Sequence, residues 1–264
     1  MLSVTLIQSD LVWENKPANL LQFEQKIKSI QTPTNLVILP EMFTTGFSMN
    51  PSALAENMEG TTVQWMKKMA AQYKIILTGS VIIQENNQYF NRLLWVLPNG
   101  MIGSYDKRHR FAFAGEHNHY TAGNKRLISS VNGWRINLQI CYDLRFPVWA
   151  RQQSTSTEPE FDVLIYVANW PERRSYAWKS LLVARAIENQ CYVIGVNRVG
   201  NDGNGIAHSG DSMVVDPLGE IIYTNNQQED IYTLLLNKNT LADVRSKFPF
   251  WKDADEFNIS IDNG

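Results

Sequence analysis

Short apolar runs rich in β-branched residues alternate along this chain with stretches of helical periodicity, and this alternation constrains the fold most. The alternating period of the short runs predicts strands and the 3.6-residue period predicts amphipathic helices. The predicted strands are Ser3–Gln8, Leu36–Leu39, Ile75–Ile83, Phe161–Ala168, Cys191–Asn197 and Ile231–Leu236. The predicted helices are Pro17–Ile30, Thr61–Tyr73 and Ser175–Gln190. Strands interleaved with helices indicate an α/β protein.

Other strand-like runs follow one another directly and are joined by turns that contain glycine. These runs predict three hairpins: Tyr89–Leu97 with Met101–Tyr105, Arg126–Val131 with Trp134–Ile140, and Ser212–Val215 with Glu220–Thr224. Hairpins place antiparallel pairs next to the parallel pairs that helical crossovers connect. We therefore expect mixed sheets, not a purely parallel Rossmann or barrel arrangement.

A polar insert at Ser154–Glu160 is predicted to be a surface loop, because the same rhythm of strands and helices resumes after it. No internal repeat is visible. We predict a single domain over residues 1–264, in which about the last 28 residues, from 237 onwards, form a helix and a tail. A chain of this length can bury a large core, so neither of its two cysteines is needed as a disulfide staple.

The charge pattern and hydropathy of the chain do not favour binding to nucleic acid or to a membrane. The chain has 24 basic and 26 acidic residues, well mixed, and a net charge of −2. It has no basic stripe suited to nucleic acid, no signal peptide and no run of 18 apolar residues. We expect a cytoplasmic protein that binds neither nucleic acid nor membrane.

Cys141 stands where the apolar run Trp134–Ile140 ends, just before a segment that can begin a helix. Backbone N–H groups at such a turn can stabilise a thiolate and later an oxyanion. A small buried structural cysteine is the alternative, since free cysteine is among the most buried residue types. The residues that follow, Tyr-Asp-Leu-Arg-Phe-Pro, together with two distant charged motifs, favour a nucleophile.

Three charged residues, like Cys141, stand just after apolar runs or on the connections between them. Glu41 directly follows the strand Leu36–Leu39, Lys107 follows Met101–Tyr105, and Glu116 lies on a polar connection. A carboxylate beside an apolar strand end can serve as a general base. Taken singly, each residue is more typical of a solvated side chain or a structural ion pair than of a catalytic group.

Taken in order, the four motifs resemble the nitrilase (carbon–nitrogen hydrolase) superfamily. They are Leu39-Pro-Glu41, Tyr105-Asp-Lys107, Gly115-Glu116 and Ile140-Cys-Tyr-Asp-Leu-Arg-Phe-Pro147. The resemblance continues through Val167-Ala-Asn-Trp-Pro171, the segment 184–190, the segment 210–219 and the tail, and it is closest to the bacterial omega-amidase branch.

This resemblance implies a four-layer αββα sandwich with two mixed β-sheets, a homodimer or a higher homo-oligomer, and no cofactor. It places a Glu–Lys–Cys triad on Glu41, Lys107 and Cys141, with Glu116 as a second glutamate. Glu41 would act as base and Cys141 as nucleophile, while Lys107 and the backbone N–H of Tyr142 would form the oxyanion hole.

The implied partner is a small-molecule amide: a 2-oxo dicarboxylate ω-amide such as 2-oxoglutaramate or 2-oxosuccinamate, cleaved to the acid and ammonia through a thioester. An N-carbamoyl amidohydrolase, or another small-amide hydrolase with the same residues, is the alternative within the enzyme class. A catalytically silent binding scaffold is the alternative outside it, although the presence of all four residues speaks against a silent protein.

Several residues are candidates for binding substrate. Arg145 could bind a substrate carboxylate in a bidentate fork or form a salt bridge with Asp143 or another acid. Arg174 and Trp178 could border the pocket, and Phe43, Phe111 and Tyr142 could form its walls. Solvated arginines and ordinary core aromatics are the alternatives for these residues.

Three histidines crowd one segment: His109, His117 and His119. His-x-His without acidic or cysteine partners is a weak metal signal, so we expect no metal site. A histidine could also act as the base for Cys141 in a Cys–His dyad, but the family pattern favours Glu41 in that role. Gly200–Gly205 lacks a phosphate-loop pattern and predicts a turn, and Cys191 is expected to be structural.

Overall fold

The computed structural model describes residues 1–152 and 158–260. Of the insert predicted at Ser154–Glu160, only the part from Glu158 onwards falls within that range. The described residues form an α/β fold built on two mixed β-sheets with helices against them. The single-domain organisation over residues 1–264 remains a prediction.

The first sheet has six strands in the order β13-β1-β2-β3-β4-β5. Neighbours β1, β2 and β3 run parallel, and the other pairs are antiparallel. Two of the strands, β3 and β4, form a hairpin that we did not predict, and Asn86 and Asn87 take positive φ at its turn. The strands are β1 Leu2–Gln8, β2 Leu36–Ile38, β3 Ile76–Glu85, β4 Gln88–Val96, β5 Ile102–Asp106 and β13 Asp230–Leu236.

The second sheet has seven strands, in the order β10-β11-β9-β8-β7-β6, with β12 paired to β11. Strands β7, β8 and β9 are parallel. All three predicted hairpins form, but β11 begins at Ala207, five residues before the predicted start, because its first residues are small or polar and hide the strand pattern. The strands are β6 Leu127–Val131, β7 Trp134–Ile140, β8 Val163–Val167, β9 Tyr192–Val196, β10 Val199–Asn201, β11 Ala207–Val215 and β12 Ile221–Asn226.

Six α-helices accompany the sheets among the described residues: α1 Lys16–Lys28, α2 Pro51–Leu54, α3 Thr61–Tyr73, α4 Pro147–Ala150, α5 Ser175–Asn189 and α6 Lys238–Lys247. The three predicted helices correspond to α1, α3 and α5. Within residues 1–152 and 158–260, no helix combines the length and apolar character needed to cross a bilayer.

Side-chain alternation along the strands sets the order of the layers. On β1, Leu2, Val4 and Leu6 share a cluster with Trp134 and Ile136 of β7, so the two sheets face one another. On the opposite face of β1, Ile7 packs against the helices. Successive side chains on a strand point to opposite faces, so burial on both faces requires an almost continuous apolar run.

The outer faces are covered by helices. Ile7 of β1 and Val37 of β2 join Phe23 of α1 and Met66 of α3 in a second cluster. On the other side, α5 packs Leu182 beneath Gly195 of β9, where a Cβ would lie 2.6 Å from the leucine side chain. The layers therefore follow the order helix, sheet, sheet, helix, which confirms the predicted αββα sandwich.

Candidate active site

The fold brings four separated residues together at the ends of strands. Glu41 follows β2, Lys107 follows β5 and Cys141 follows β7, while Glu116 begins a 3-10 turn at Glu116–Asn118. Lys107 Nζ lies 2.9 Å from Glu41 Oε1 and 3.0 Å from Glu116 Oε2. All four side chains are buried. Ionic groups are rarely buried without partners, and here each carboxylate faces the ammonium.

Two asparagines hold the Glu41 carboxylate in place. Asn91 Nδ2 donates to Oε1 over 2.8 Å, and the backbone N–H of Asn169 donates to Oε2 over 2.8 Å. Asn169 Nδ2 also donates to the backbone carbonyl of Glu41. Sequence reasoning missed both residues. Asn169 could have been found, because it follows β8 within the motif Val167–Pro171, whereas Asn91 lies inside β4 with no distinguishing signal.

Cys141 opens a tight 3-10 turn, Cys141–Arg145, with φ of +45°. Non-glycine residues seldom adopt this left-handed conformation, and such strain is typical of functional sites. Burial raises the pKa of the Cys141 thiol well above its usual value, the Glu41 charge raises it further, and Lys107 opposes them. The turn is only five residues long, and burial together with Glu41 favours the thiol over the thiolate, as the predicted transfer of the thiol proton to Glu41 requires.

Lys107 remains charged despite its burial. Burial opposes the ammonium, but the charges of Glu116 and Glu41 outweigh it and raise the pKa of Lys107 above its ordinary value. Burial raises the pKa of Glu116, against the opposing effect of Lys107. The backbone N–H of Phe111 donates to Glu116 Oε2 and fixes this carboxylate. The site thus combines a protonated thiol, a carboxylate that can take its proton and a fixed cation.

A cavity of about 210 Å³ opens above Cys141. Its walls are largely aromatic: Phe47, Phe111, Phe113, Tyr142 and Trp170. Its cationic side chains are Arg145, Arg173 and Arg174. Arg145 lies over the Trp170 ring at 5.0 Å and Arg174 over the Phe111 ring at 5.1 Å, a geometry that suits cation–π attraction. The cavity therefore matches a ligand with an apolar middle and an anionic end.

The predicted wall residues and arginines divide into two groups. Phe111, Tyr142, Arg145 and Arg174 all line the cavity. The alternative salt bridge between Arg145 and Asp143 is not formed, because both oxygens of Asp143 accept hydrogen bonds from other groups. Sequence reasoning missed Phe47, Trp170, Arg173 and His208 as lining residues, although Trp170 follows Asn169 in the same motif.

Two predicted substrate-binding residues do not reach the cavity. Trp178 is fully buried on α5, behind Trp170, and its Nε1 donates to the Asp211 carbonyl. Phe43 is fully buried between the first sheet and its helices, with its ring 5.5 Å from that of Phe23. Trp178 packs from α5 against Gly195 of β9, and Phe43 packs against Phe23 of α1, so neither ring reaches the cavity and these two assignments are wrong.

The histidine cluster forms neither a metal site nor the rival dyad. His109 Nδ1 lies 2.8 Å from Asp143 Oδ1, and His117 and His119 are exposed. Across the described parts of the chain, no group of three or more His, Cys, Asp or Glu side chains is placed to hold a metal ion. The group that acts on the Cys141 thiol is instead Glu41, whose charge adds to burial in raising the pKa of the thiol.

Comparison with known proteins agrees with this geometry. The profile of one protein family, described as carbon-nitrogen hydrolase, matches residues 3–246. The chain belongs to the carbon–nitrogen hydrolase family. The predicted family resemblance and nitrilase-type fold are thereby confirmed.

Relatives of this carbon–nitrogen hydrolase match it along nearly their whole length. It is 47% identical to the omega-amidase YafV of Escherichia coli (strain K12), over 98% of each chain. It is 31% identical to the 2-oxoglutaramate amidase of Bacillus subtilis (strain 168), over 95% of this chain and 96% of that one. The crystal structure of XC1258 from Xanthomonas campestris, a CN-hydrolase superfamily protein with an arsenic adduct in the active site, superposes with a TM-score of 0.95 at 44% identity, over 98% and 99% of the two chains.

Proposed function

We propose that this carbon–nitrogen hydrolase is an amidase that cleaves the terminal amide of small 2-oxo dicarboxylate ω-amides, such as 2-oxoglutaramate and 2-oxosuccinamate. The observation that carries the proposal is the buried network in which Lys107 pairs with Glu41 and Glu116, next to a Cys141 thiol whose pKa responds to Glu41 and Lys107. The substrate class is supported by similarity to the omega-amidase and the 2-oxoglutaramate amidase.

In acylation, Glu41 takes the thiol proton as Cys141 Sγ attacks the amide carbon. This transfer is needed because the thiol is protonated at rest. The negative charge that develops on the amide oxygen is held by Lys107 and by the backbone N–H of Tyr142. One such donor is typically worth about 3–4 kcal/mol of barrier.

Glu41 then returns the proton to the amide nitrogen, the C–N bond breaks, ammonia leaves and a thioester on Cys141 remains. In deacylation, water attacks the thioester while Glu41 takes one of its protons, and Glu41 then returns that proton to the departing thiolate. The products are the 2-oxo dicarboxylate and the free thiol. Glu116, with both oxygens within 3.1 Å of Lys107 Nζ, orients the ammonium throughout.

The cavity arginines support an anionic substrate. Among residues 1–152 and 158–260, neither Arg145 nor Arg174 has a carboxylate partner, so both can receive the substrate carboxylate. The same charges repel the α-ammonium of an amino-acid amide. We therefore propose that 2-oxo amides are preferred to glutamine and asparagine.

We also propose a cytoplasmic homodimer that folds as one domain. The homodimer follows from the family resemblance and is supported by exposed apolar side chains at helical spacing on α5, where Tyr176 is 84% and Ile187 53% exposed. Both cysteines are free thiols, as in a reducing compartment. Analytical ultracentrifugation tests the oligomeric state, and a monomer at micromolar concentration refutes it.

The test of function compares ammonia release from 2-oxoglutaramate with turnover of N-carbamoyl-β-alanine and of a simple nitrile, for wild type and Cys141→Ala. Mass spectrometry under turnover detects the acyl adduct on Cys141. We expect turnover of 2-oxoglutaramate by wild type and none by the variant. Preference for the carbamoyl compound or the nitrile refutes the substrate class, and activity that survives in Cys141→Ala refutes the catalytic assignment.

A further inference from the structure

The end of α5 carries a segment, 184–190, that matches the family pattern but takes no part in the mechanism. Three of its polar side chains are almost fully buried: Arg185 is 3%, Asn189 1% and Gln190 4% exposed. Buried polar groups in native proteins are nearly always hydrogen-bonded. The partners of these side chains therefore show which part of the chain the segment holds in place.

Two of the three side chains hold the chain that follows the nucleophile. Arg185 Nη2 donates to the backbone carbonyl of Leu144 over 2.6 Å, within the turn that Cys141 opens. Asn189 Oδ1 accepts from the backbone N–H of Gln152 over 2.9 Å, just after α4 ends. The end of α5 thus anchors both ends of the segment between Leu144 and Gln152.

The guanidinium of Arg185 is itself held in one orientation. Its Nη1 donates to Glu188 Oε1 over 3.0 Å, three residues further along α5. Leu144 is fully buried, so water does not compete for its carbonyl. A hydrogen bond from a charged donor is shorter and stronger than one between neutral groups, and the contact with Leu144 is short for a nitrogen donor. The helix α5 therefore fixes the position of the Leu144 carbonyl.

Fixing the Leu144 carbonyl also fixes the start of Arg145. The peptide group between the two residues is planar, so the Leu144 carbonyl moves together with the nitrogen and Cα of Arg145. The Arg145 side chain lines the cavity above Cys141, and its guanidinium lies 5.0 Å from the centre of the Trp170 ring. Its backbone and its guanidinium are thus both held, which limits the directions in which this long side chain can point.

We propose that Arg185 is a positioning residue for the anionic end of the substrate. Through the Leu144 carbonyl it aims Arg145 at the substrate carboxylate, and it thereby increases the preference for ω-amides that end in a carboxylate. A bidentate contact between a guanidinium and a carboxylate depends on orientation, and a small misplacement weakens it. The inference rests on the proposed function and deepens it, because it assigns a supporting residue to carboxylate recognition.

The experiment measures kcat/KM for 2-oxoglutaramate and for 4-oxopentanamide, in which a methyl group replaces the carboxylate and the rest of the molecule is unchanged. The ratio of the two values reports recognition of the carboxylate. It is compared among wild type, Arg185→Met, Arg185→Lys, Arg145→Gln and the double variant Arg145→Gln/Arg185→Met. Circular dichroism establishes that each variant is folded.

Arg245→Met is the matched control. Arg245 is largely buried and, like Arg185, donates to a backbone carbonyl, that of Phe161 over 2.7 Å. Its hydrogen-bond partners lie outside the nucleophile turn and outside the cavity lining. We expect Arg245→Met to lower the free energy of unfolding and to leave the ratio unchanged.

We expect wild type to prefer 2-oxoglutaramate. The ratio should fall about tenfold or more in Arg145→Gln, the loss typical of hydrogen bonds between charged groups. It should fall about threefold to tenfold in Arg185→Met, because Arg145 is present but no longer aimed, and Arg185→Lys should restore part of it. In the double variant the ratio should equal that of Arg145→Gln, because Arg185 acts through Arg145.

Three results would overturn the proposal. A purely structural role of Arg185 lowers both kcat/KM values together and leaves the ratio unchanged. A ratio that falls further in the double variant than in Arg145→Gln shows that Arg185 acts through another residue. A ratio that falls as much in Arg245→Met as in Arg185→Met shows that the loss of any buried arginine is enough.

Other outcomes separate this inference from the proposed function. Turnover of neither amide by folded wild type refutes the function and the inference together. Equal turnover of both amides by wild type, or an unchanged ratio in Arg145→Gln, refutes the inference and leaves the amidase activity standing.

Two substitutes keep the comparison possible. If Arg185→Met does not fold, Arg185→Gln, whose shorter side chain does not reach the Leu144 carbonyl, replaces it in the same set of variants. If wild type does not cleave 4-oxopentanamide, calorimetry compares the binding of 2-oxoglutarate and of 4-oxopentanoate to Cys141→Ala with and without Arg185→Met. An unchanged difference between the two affinities overturns the proposal.

Discussion

The substitution Asp143→Asn tests how the loop after β5 is joined to the nucleophile turn. Asp143 is fully buried, and its carboxylate accepts four hydrogen bonds. Oδ1 accepts from the backbone N–H of His109 over 2.9 Å and lies 2.8 Å from His109 Nδ1. Oδ2 accepts from the Tyr105 hydroxyl over 2.7 Å and from the Ile140 N–H over 3.1 Å. These contacts connect the neighbours of Lys107 with the residue that precedes Cys141.

Asparagine has the same shape but replaces one acceptor oxygen with a donor. In either orientation of the amide, one backbone N–H, that of His109 or that of Ile140, faces another donor and is left unpaired. A buried unpaired group costs about 1–3 kcal/mol, and the remaining bonds lose the strength that the charge provides. We expect the free energy of unfolding to fall by about 2–4 kcal/mol and kcat to fall with it, because Lys107 and Cys141 lose their common anchor.

Urea unfolding with linear extrapolation measures the loss, and ammonia release measures the turnover. Asp243→Asn is the matched control, because Asp243 is exposed on α6, and we expect it to leave the unfolding midpoint unchanged. A loss below about 1 kcal/mol in Asp143→Asn, with normal turnover, would show that the four hydrogen bonds do not hold the two segments together.

Three further predictions follow from buried groups. Glu41→Gln removes a charge that raises the pKa of the Cys141 thiol. Alkylation of Cys141 by iodoacetamide at pH 8 should therefore become faster, while ammonia release is lost. Slower alkylation would contradict the effect of Glu41 on the thiol. Burial raises the pKa of Asp162, but the hydrogen bonds and charges of Arg135 and Arg245 outweigh burial and lower that pKa. The stability due to Asp162 is therefore present above pH about 4 and is lost as the pH falls through its lowered pKa. Asp162→Asn should destabilise the protein at pH 7, and the loss should shrink as the pH falls below about 4; a loss that does not change with pH argues against this. Phe43→Ala should lower the free energy of unfolding by about 3–5 kcal/mol in urea and leave KM unchanged, because Phe43 packs in the core. A raised KM with normal stability would show that Phe43 lines the pocket.

Much of the site could be predicted locally because its principal residues stand where the chain changes conformation. Glu41, Lys107 and Cys141 each follow a strand-like run, and a polar residue directly after such a run is visible in the sequence. The family motifs added the relation among them. Asn91 shows the limit: it occupies an interior position of β4, and nothing in its neighbours marks it as a partner of Glu41.

The aromatic residues show a second limit. Phe43 and Phe111 are the same residue type and both were predicted to form pocket walls, yet Phe43 packs beneath α1 and Phe111 lines the cavity. Trp170 and Trp178 differ in the same way, although their rings are only 5.4 Å apart. The side of a layer on which a ring lies depends on how helices and sheets pack, and the period of a short segment does not report that packing.

The sequence by itself determined the α/β class, the three hairpins, the principal helices and the positions of the charged residues, because strand and helix periods, turn residues and strand ends are local properties. The tertiary structure alone decided which strands became neighbours, and with them the hydrogen bonds around Glu41, the raised pKa of the Cys141 thiol, and the cavity that Arg173 and His208 share. Those features depend on distances between segments far apart in the chain and on the burial they produce together, and no single segment contains that information.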